Sequence, residues 1–315
     1  MKTCFSAEVV DLNVQAPNRN KRESKYYWDE FYKLTSAAGF EYLEVPYEPK
    51  WDFGGRSGIP RTRRSIDIKF ESVANYMDQL KEYGIKGISC IHLDPSLFCM
   101  GMMEMYFGAF AHFASEAIQF AKDAGAEVVT LTATPCYYAV QQLMKDREDG
   151  LNVFLAQTAK VVDELAQAAS EAGVKLCLKN EYWGLLRGIK IVSFVKELKN
   201  KVYLDVDTAH LQIAGVDAAA FIEENKDLIG IVHFTDTAFV DDQEAYLQAL
   251  PEYPAKRAAK VICDIGEGKV DFVKIMQTLK DAGYDGTIVY NCKNSYDVSR
   301  SLLRTRYVIN HRLTH

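Results

Sequence analysis

The chain has 315 residues, of which 48% are hydrophobic and 25% charged, and its formal net charge is -6. That balance is ordinary for a soluble globular protein and argues against a nucleic-acid partner, which would require a basic face. No apolar run approaches the roughly 18 residues of a membrane span, and the polar start of the chain is too short for a signal peptide. A cytoplasmic protein without membrane or nucleic-acid partners is therefore expected.

Short strand-like runs alternate with helical ones along the whole sequence. A first strand spans 2–10, and helix-spaced Trp28, Phe31, Tyr32 and Leu34 predict a helix over 26–38, stopped at Gly39. Strand two is 40–46, a helix covers 70–83, and strand three is 85–93. A long helix over 104–124 precedes strand four at 126–133, and a helix over 152–172 precedes strand five at 174–179. Then come a helix over 189–198, strand six at 202–207, a helix over 217–225 and strand seven at 229–235. A helix over 270–282, strand eight at 287–291 and a last helix over 298–308 complete the pattern. Eight strands, each followed by its own helix, imply parallel pairing, and a single (β/α)8 TIM barrel over residues 1–315 fits best. A doubly wound sheet is the competing arrangement, but no Gly-x-Gly-x-x-Gly follows the first strand. Long loops after strands two and seven, 47–69 and 237–268, leave at the carboxyl face, as a lid or docking surface would.

The seven cysteines, Cys4, Cys90, Cys99, Cys136, Cys177, Cys263 and Cys292, are odd in number and scattered. They read as buried free thiols in a reducing compartment.

Strands six and seven end in polar clusters. Asp207 and His210 close one, and His233 and Asp236 close the other. In parallel α/β proteins ligands sit at that end of the strands. A further stretch, Gly266-Glu267-Gly268-Lys269-Val270-Asp271-Phe272 followed by Leu279, Gly283, Tyr284 and Gly286, precedes strand eight. Together with Gly39-Phe40-Glu41-Tyr42-Leu43-Glu44 and Ala124-Gly125-Ala126 it resembles the xylose-isomerase-like sugar isomerase/epimerase barrels over nearly the whole chain.

That resemblance implies a four-ligand metal site of Glu, Asp, His and Glu from strands five to eight, suited to Mn, Mg, Co or Zn. Asp207 matches the aspartate and His233 the histidine, with His210 and Asp236 as substrate contacts. Lys179 and Asn291 stand where the two glutamates are expected. Three outcomes follow. Glu181, two residues beyond Lys179 on the same face, completes a divalent site with Asp207 and His233. Alternatively, Lys179 occupies the metal position and polarises a carbonyl, or with a lowered pKa serves as base or Schiff-base amine. In the third, a Lys179–Asp207 salt bridge leaves a catalytically silent barrel acting through a partner subunit.

Glu44 and His92 near the ends of strands two and three are candidate sugar-hydroxyl contacts. Trp51, Phe53, Tyr182 and Trp183 are candidate stacking groups, and Arg56, Arg61, Arg63 and Arg64 candidate holders of a phosphate or carboxylate. The expected function is proton transfer next to a carbonyl on a sugar, keto-sugar or oxidised glycoside. Glu181 or His210 would carry the proton, and Asp207, His233 and either a metal or Lys179 would hold the oxygens. A lyase expelling an aglycone is the related alternative. The partner is a small carbohydrate, with a homo-oligomer or partner subunit also open.

Overall fold

Period-two alternation in the strands sorts side chains to two sides of one sheet. β1 (Lys2–Ser6), β2 (Tyr42–Pro46), β3 (Gly87–Leu93), β4 (Val128–Thr132), β5 (Lys175–Lys179), β6 (Tyr203–Asp207), β7 (Ile229–Thr237) and β9 (Thr287–Asn291) pair in parallel. They run around the sheet as β1-β2-β3-β4-β5-β6-β7-β9, and β9 returns to β1. The result is a closed eight-stranded parallel barrel ringed by helices. The computed structural model describes residues 1–9, 24–52, 58–99, 101–251, 261–293, 295 and 297–313.

Outward-facing Leu43, Val45, Val129, Leu131, Leu176, Leu178, Leu204, Val206, Val232, Phe234 and Ile288 are buried beneath the helices. Each such side chain contributes about 1.5–3 kcal/mol by leaving water. The inward-facing set differs. Cys4, Cys90, Val128, Cys177, Ile231 and Val289 form an apolar floor, and above it the interior becomes polar.

Helix boundaries follow their caps. Gly125 and Gly173 end the helices Met103–Ala124 and Gly150–Ala172 in the left-handed region, φ 69° and 74°. The helix expected over 70–83 is Val73–Glu82, and a separate helix, Arg63–Phe70, precedes it in the segment read as a loop. Thr62 and Ser65 form a capping box that starts Arg63–Phe70. Glu71 at φ 68° ends it, and Ser72 caps Val73–Glu82. Much of the expected second-strand loop is therefore helical. Two short helices, Tyr137–Leu143 and Thr208–Ile213, lie in segments read as loops. Strand one stops at Ser6 and turns into a 3-10 segment, Ala7–Val9. After β7 a two-residue strand, β8 (Ile262–Cys263), pairs antiparallel with Asp236 and Thr237. Among the described residues no helix is long and apolar enough to cross a membrane, and all seven cysteines are free.

Candidate active site at the barrel mouth

Two residues per step along a strand keep one face, so β6 sends both Asp205 and Asp207 into the barrel, one above the other. Asp205 works in the lower tier. His233 of β7 lies between it and Glu44 of β2, with Nδ1 2.6 Å from Asp205 and Nε2 2.6 Å from Glu44. Ser6 Oγ donates to Glu44 at 2.6 Å. Burial pulls the His233 pKa down, but the two carboxylates outweigh it and lift the value to about 10. The ring is an imidazolium at neutral pH. Glu44 is held below the ordinary carboxylate range, because His233 more than offsets its burial.

The upper tier centres on Lys179, whose Nζ is 3.2 Å from Asp207 Oδ2 with both side chains buried. Asp207 also accepts from Thr235 Oγ1 at 3.0 Å and from the backbone of Ala209 at 3.1 Å. It thereby caps the helix Thr208–Ile213 that carries His210. Burial favours the neutral amine of Lys179. Asp207, then Glu8, Asp205 and Glu44, reverse this and raise its pKa above the ordinary value. These surroundings favour the reading of Lys179 as a fixed cation over that of a base or Schiff-base amine. Its carboxylate surroundings keep it a cation.

Glu181 turns to His210, whose Nε2 lies 3.2 Å from its Oε2. Tyr182 N–H donates to His210 Nδ1 at 3.2 Å, which fixes the neutral ring with its proton on Nε2, facing Glu181. That bond opposes a second ring proton, whereas Glu181 and Asp207 outweigh burial and raise the His210 pKa. Burial pushes the Glu181 pKa up, but His210 more than offsets it and holds Glu181 below the usual carboxylate range. No bulge at Asn180 delivers Glu181 to Asp207. Asn180 instead bridges β5 to β6, accepting from Asp207 N at 2.6 Å and donating to Asp207 O at 3.1 Å.

Asn291 of β9 donates to Glu8 at 2.8 Å. Glu8 is a carboxylate the sequence reading passed over, as it did Asp205. Burial would raise the Glu8 pKa, but His92, Lys179 and Lys293 lower it. Glu8 follows β1 and Glu181 follows β5, which are four strands apart in either direction around the barrel. The two carboxylates therefore project from opposite walls. A strand-end carboxylate at Glu8 and the alternation of Asp205 with Asp207 were the available signals.

Other expected contacts fall elsewhere. Glu44 is sealed in the lower tier, and His92 Nδ1 pairs with Thr130 Oγ1 at 2.7 Å. Asp236 is not open to a substrate. It accepts from the backbone of Gly266 at 2.8 Å, Gly268 at 2.9 Å and Thr237 at 2.9 Å, tying the glycine-rich turn to β7. A Cβ on Gly268 would lie 2.1 Å from Asp236 Oδ1, so the close approach requires glycine. Arg61 is buried against Glu48 and the carbonyl of Ala7. Arg63 and Arg64 are exposed and start a helix flanking the barrel. Arg64 lies beside Tyr47, Asp52 and Glu116, in a cleft that shares no residue with the one Glu181 borders. Phe53 and Arg56 lie outside the described residues.

Trp183 is buried, with its Nε1 unpartnered among the described residues. It lines a cavity of about 290 Å³ shared by Glu181, Thr132, Thr134, Cys99, Cys136, Ala139 and Lys293, with Leu250 and Pro251 at the rim. Residues 237–251 are seated on the mouth. Tyr182 OH donates to Asp241 at 2.9 Å, and the Arg187 guanidinium lies 3.5 Å from the centre of the Tyr246 ring.

The metal set implied by the resemblance does not fit this geometry. Lys179 is ion-paired where a cation would sit, both His233 nitrogens are engaged by carboxylates, and Glu181 is held by His210. Among the described residues no group of three or more His, Cys, Asp or Glu is arranged to hold a metal.

Comparison with known proteins bears on the family. The chain is 29% identical over 149 residues to an uncharacterised protein of Methanocaldococcus jannaschii, covering 44% of each. It is 25% identical over 218 residues to an inosose dehydratase of Bacillus licheniformis, 62% of this chain and 67% of that one. The chain spans less than half the length of the first curated relatives it matches. In fold it is similar to a probable 3-DHS dehydratase of Bacillus anthracis, with TM-score 0.69 and 13% identity over 99% and 100% of the two chains. A zinc-binding IOLI protein is also similar, at TM-score 0.63 and 15% identity over all of both chains. The family model described as xylose isomerase-like TIM barrel matches residues 32–306. With the barrel and its strand-end cluster, that match makes the chain a member of the xylose isomerase-like TIM barrel family.

Proposed function

We propose that the protein is a carbohydrate-active enzyme that moves a proton next to a carbonyl, with Lys179 as its fixed cation. The observation that carries this reading is the buried Lys179–Asp207 pair at 3.2 Å, close enough to the Glu181–His210 pair for Lys179 to act on Glu181. An ammonium has three donors. Asp207 orients Lys179, and a donor directed to a keto-sugar oxygen stabilises the negative charge that grows there as the neighbouring C–H bond breaks.

Glu181 takes that proton, and His210 Nε2–H holds the carboxylate in position. Glu8, on the opposite wall, rests as a carboxylate beside Lys179; it takes up a proton from solvent and delivers it from the other face, as inversion at one carbon requires. Asn291 steadies Glu8. The inosose dehydratase relative supports carbohydrate chemistry, and the retained strand-end cluster supports an active site over a silent barrel. No step here passes through a metal.

The test is solvent exchange. D-Allulose or D-tagatose incubated with the protein in D2O is expected to gain deuterium beside its carbonyl, unaffected by EDTA. Lys179→Met is expected to slow exchange by roughly 10²–10³-fold, the cost of losing one oxyanion donor. Exchange that EDTA abolishes and Mn²⁺ or Zn²⁺ restores would overturn the assignment.

A further inference from the structure

Glu181 belongs to two surroundings. One side meets His210 within the polar cluster, and the other borders the cavity walled by Cys99, Pro135, Ala139, Trp183 and Leu250. Asp94, Ser96, Thr132, Thr134 and Lys293 also line it, but most of its exposed lining is apolar, and that part offers the hydroxyls of a bare sugar few partners. It suits a group with little need of hydrogen bonds. Volume narrows the choice. An apolar cavity of about 150 Å³ takes one benzene ring, so about 290 Å³ has room for one or two rings. That is too small for a peptide or a nucleotide.

We infer that this cavity is the subsite for an aryl substituent, and that the substrate is an aryl keto-glycoside rather than a free keto-sugar. The sugar half lies toward Lys179 and Glu181, and this half of the inference rests on the proton-transfer reading. The aryl half rests on the cavity alone. Indole Nε1 of Trp183, buried without an acceptor, adds a donor in the same wall. Burying a ring here removes apolar surface from water at roughly 25 cal/mol per Å², which favours aryl glycosides over the parent sugar.

The test uses the full chain and two probes. 4-Nitrophenol is expected to bind saturably at one site by calorimetry. Ala139→Leu, which fills the cavity on a helix where leucine is well tolerated, is expected to weaken binding at least tenfold. Ala249→Trp at the exposed rim serves the same purpose should Ala139→Leu fail to fold. The 4-nitrophenyl 3-keto-D-glucoside is expected to exceed D-allulose at least tenfold in kcat/KM for exchange. No saturable 4-nitrophenol binding, binding undiminished in both variants, or a preference for the free sugar would overturn the inference. Binding of 4-nitrophenol with no exchange on either sugar would support the subsite and sink the proton-transfer reading. Exchange on D-allulose without 4-nitrophenol binding would do the reverse.

Discussion

The lower and upper tiers of the barrel interior are built from the same residue types and do different work. Below, His233 spends both nitrogens on Glu44 and Asp205, all three side chains being fully buried. Above, Lys179 and Glu181 each have a partner, but Glu181 also borders a cavity. A sealed buried network holds a fold in one arrangement, here with Asp205 Oδ2 unpartnered among the described residues, whereas an ion pair with donors to spare and a cavity beside it can meet a ligand. Titratable residues at strand ends therefore do not by themselves mark a site. What separates the tiers is the cavity that Glu181 borders.

Removing the cation from the lower tier gives the largest stability effect. His233→Leu strands two buried carboxylates and is expected to cost about 3–5 kcal/mol in urea unfolding. The same group sets a pH dependence. With a folded pKa of about 10 against an ordinary 6.5, the native state holds a proton that the unfolded chain releases. Its stabilisation is complete below about pH 6.5 and is lost as pH rises toward 10, with a slope approaching 1.4 kcal/mol per unit. Urea unfolding at pH 7, 8 and 9 measures that slope, and its survival in His233→Leu would erase the distinction between the tiers.

A smaller effect tests the sealed carboxylate of Asp236. Gly268→Ala drives a methyl into Asp236 and the backbone of Thr237, and about 1–3 kcal/mol of destabilisation is expected. A neutral result in the same unfolding assay would mean that the turn is not held by that close approach. The smallest effect belongs to the upper rim. Tyr182→Phe deletes the bond to Asp241 at about 1 kcal/mol. Global stability should scarcely move, while limited proteolysis within 237–251 accelerates. Unchanged cleavage would mean the segment is held by its other contacts.

Much of the barrel was legible because alternation and helix-ending glycines are local signals. The helix Arg63–Phe70 falls in a segment read as loop, and the break before Val73–Glu82 left no glycine signal because Glu71 itself takes the left-handed turn. The cluster at Asp207, His210 and Lys179 was legible from strand ends, as was the Lys179–Asp207 pair, but the remaining pairings were not. His233 chose Glu44, 189 positions away, and Glu181 chose His210 over Asp207. Such choices depend on strand tilt and on competition among buried charges, which spacing along the chain does not encode. The ammonium character of Lys179 likewise comes from carboxylates on other strands.

The apolar floor has a practical consequence. Cys4, Cys90 and Cys177 sit on β1, β3 and β5, spread around the wall, and burial pushes each thiol far above its ordinary pKa. Alkylating reagents attack thiolates, so these sulfurs will stay silent while the barrel is closed. Their modification then becomes a clock for the opening of the whole molecule, with one hand on every second strand of half its circumference.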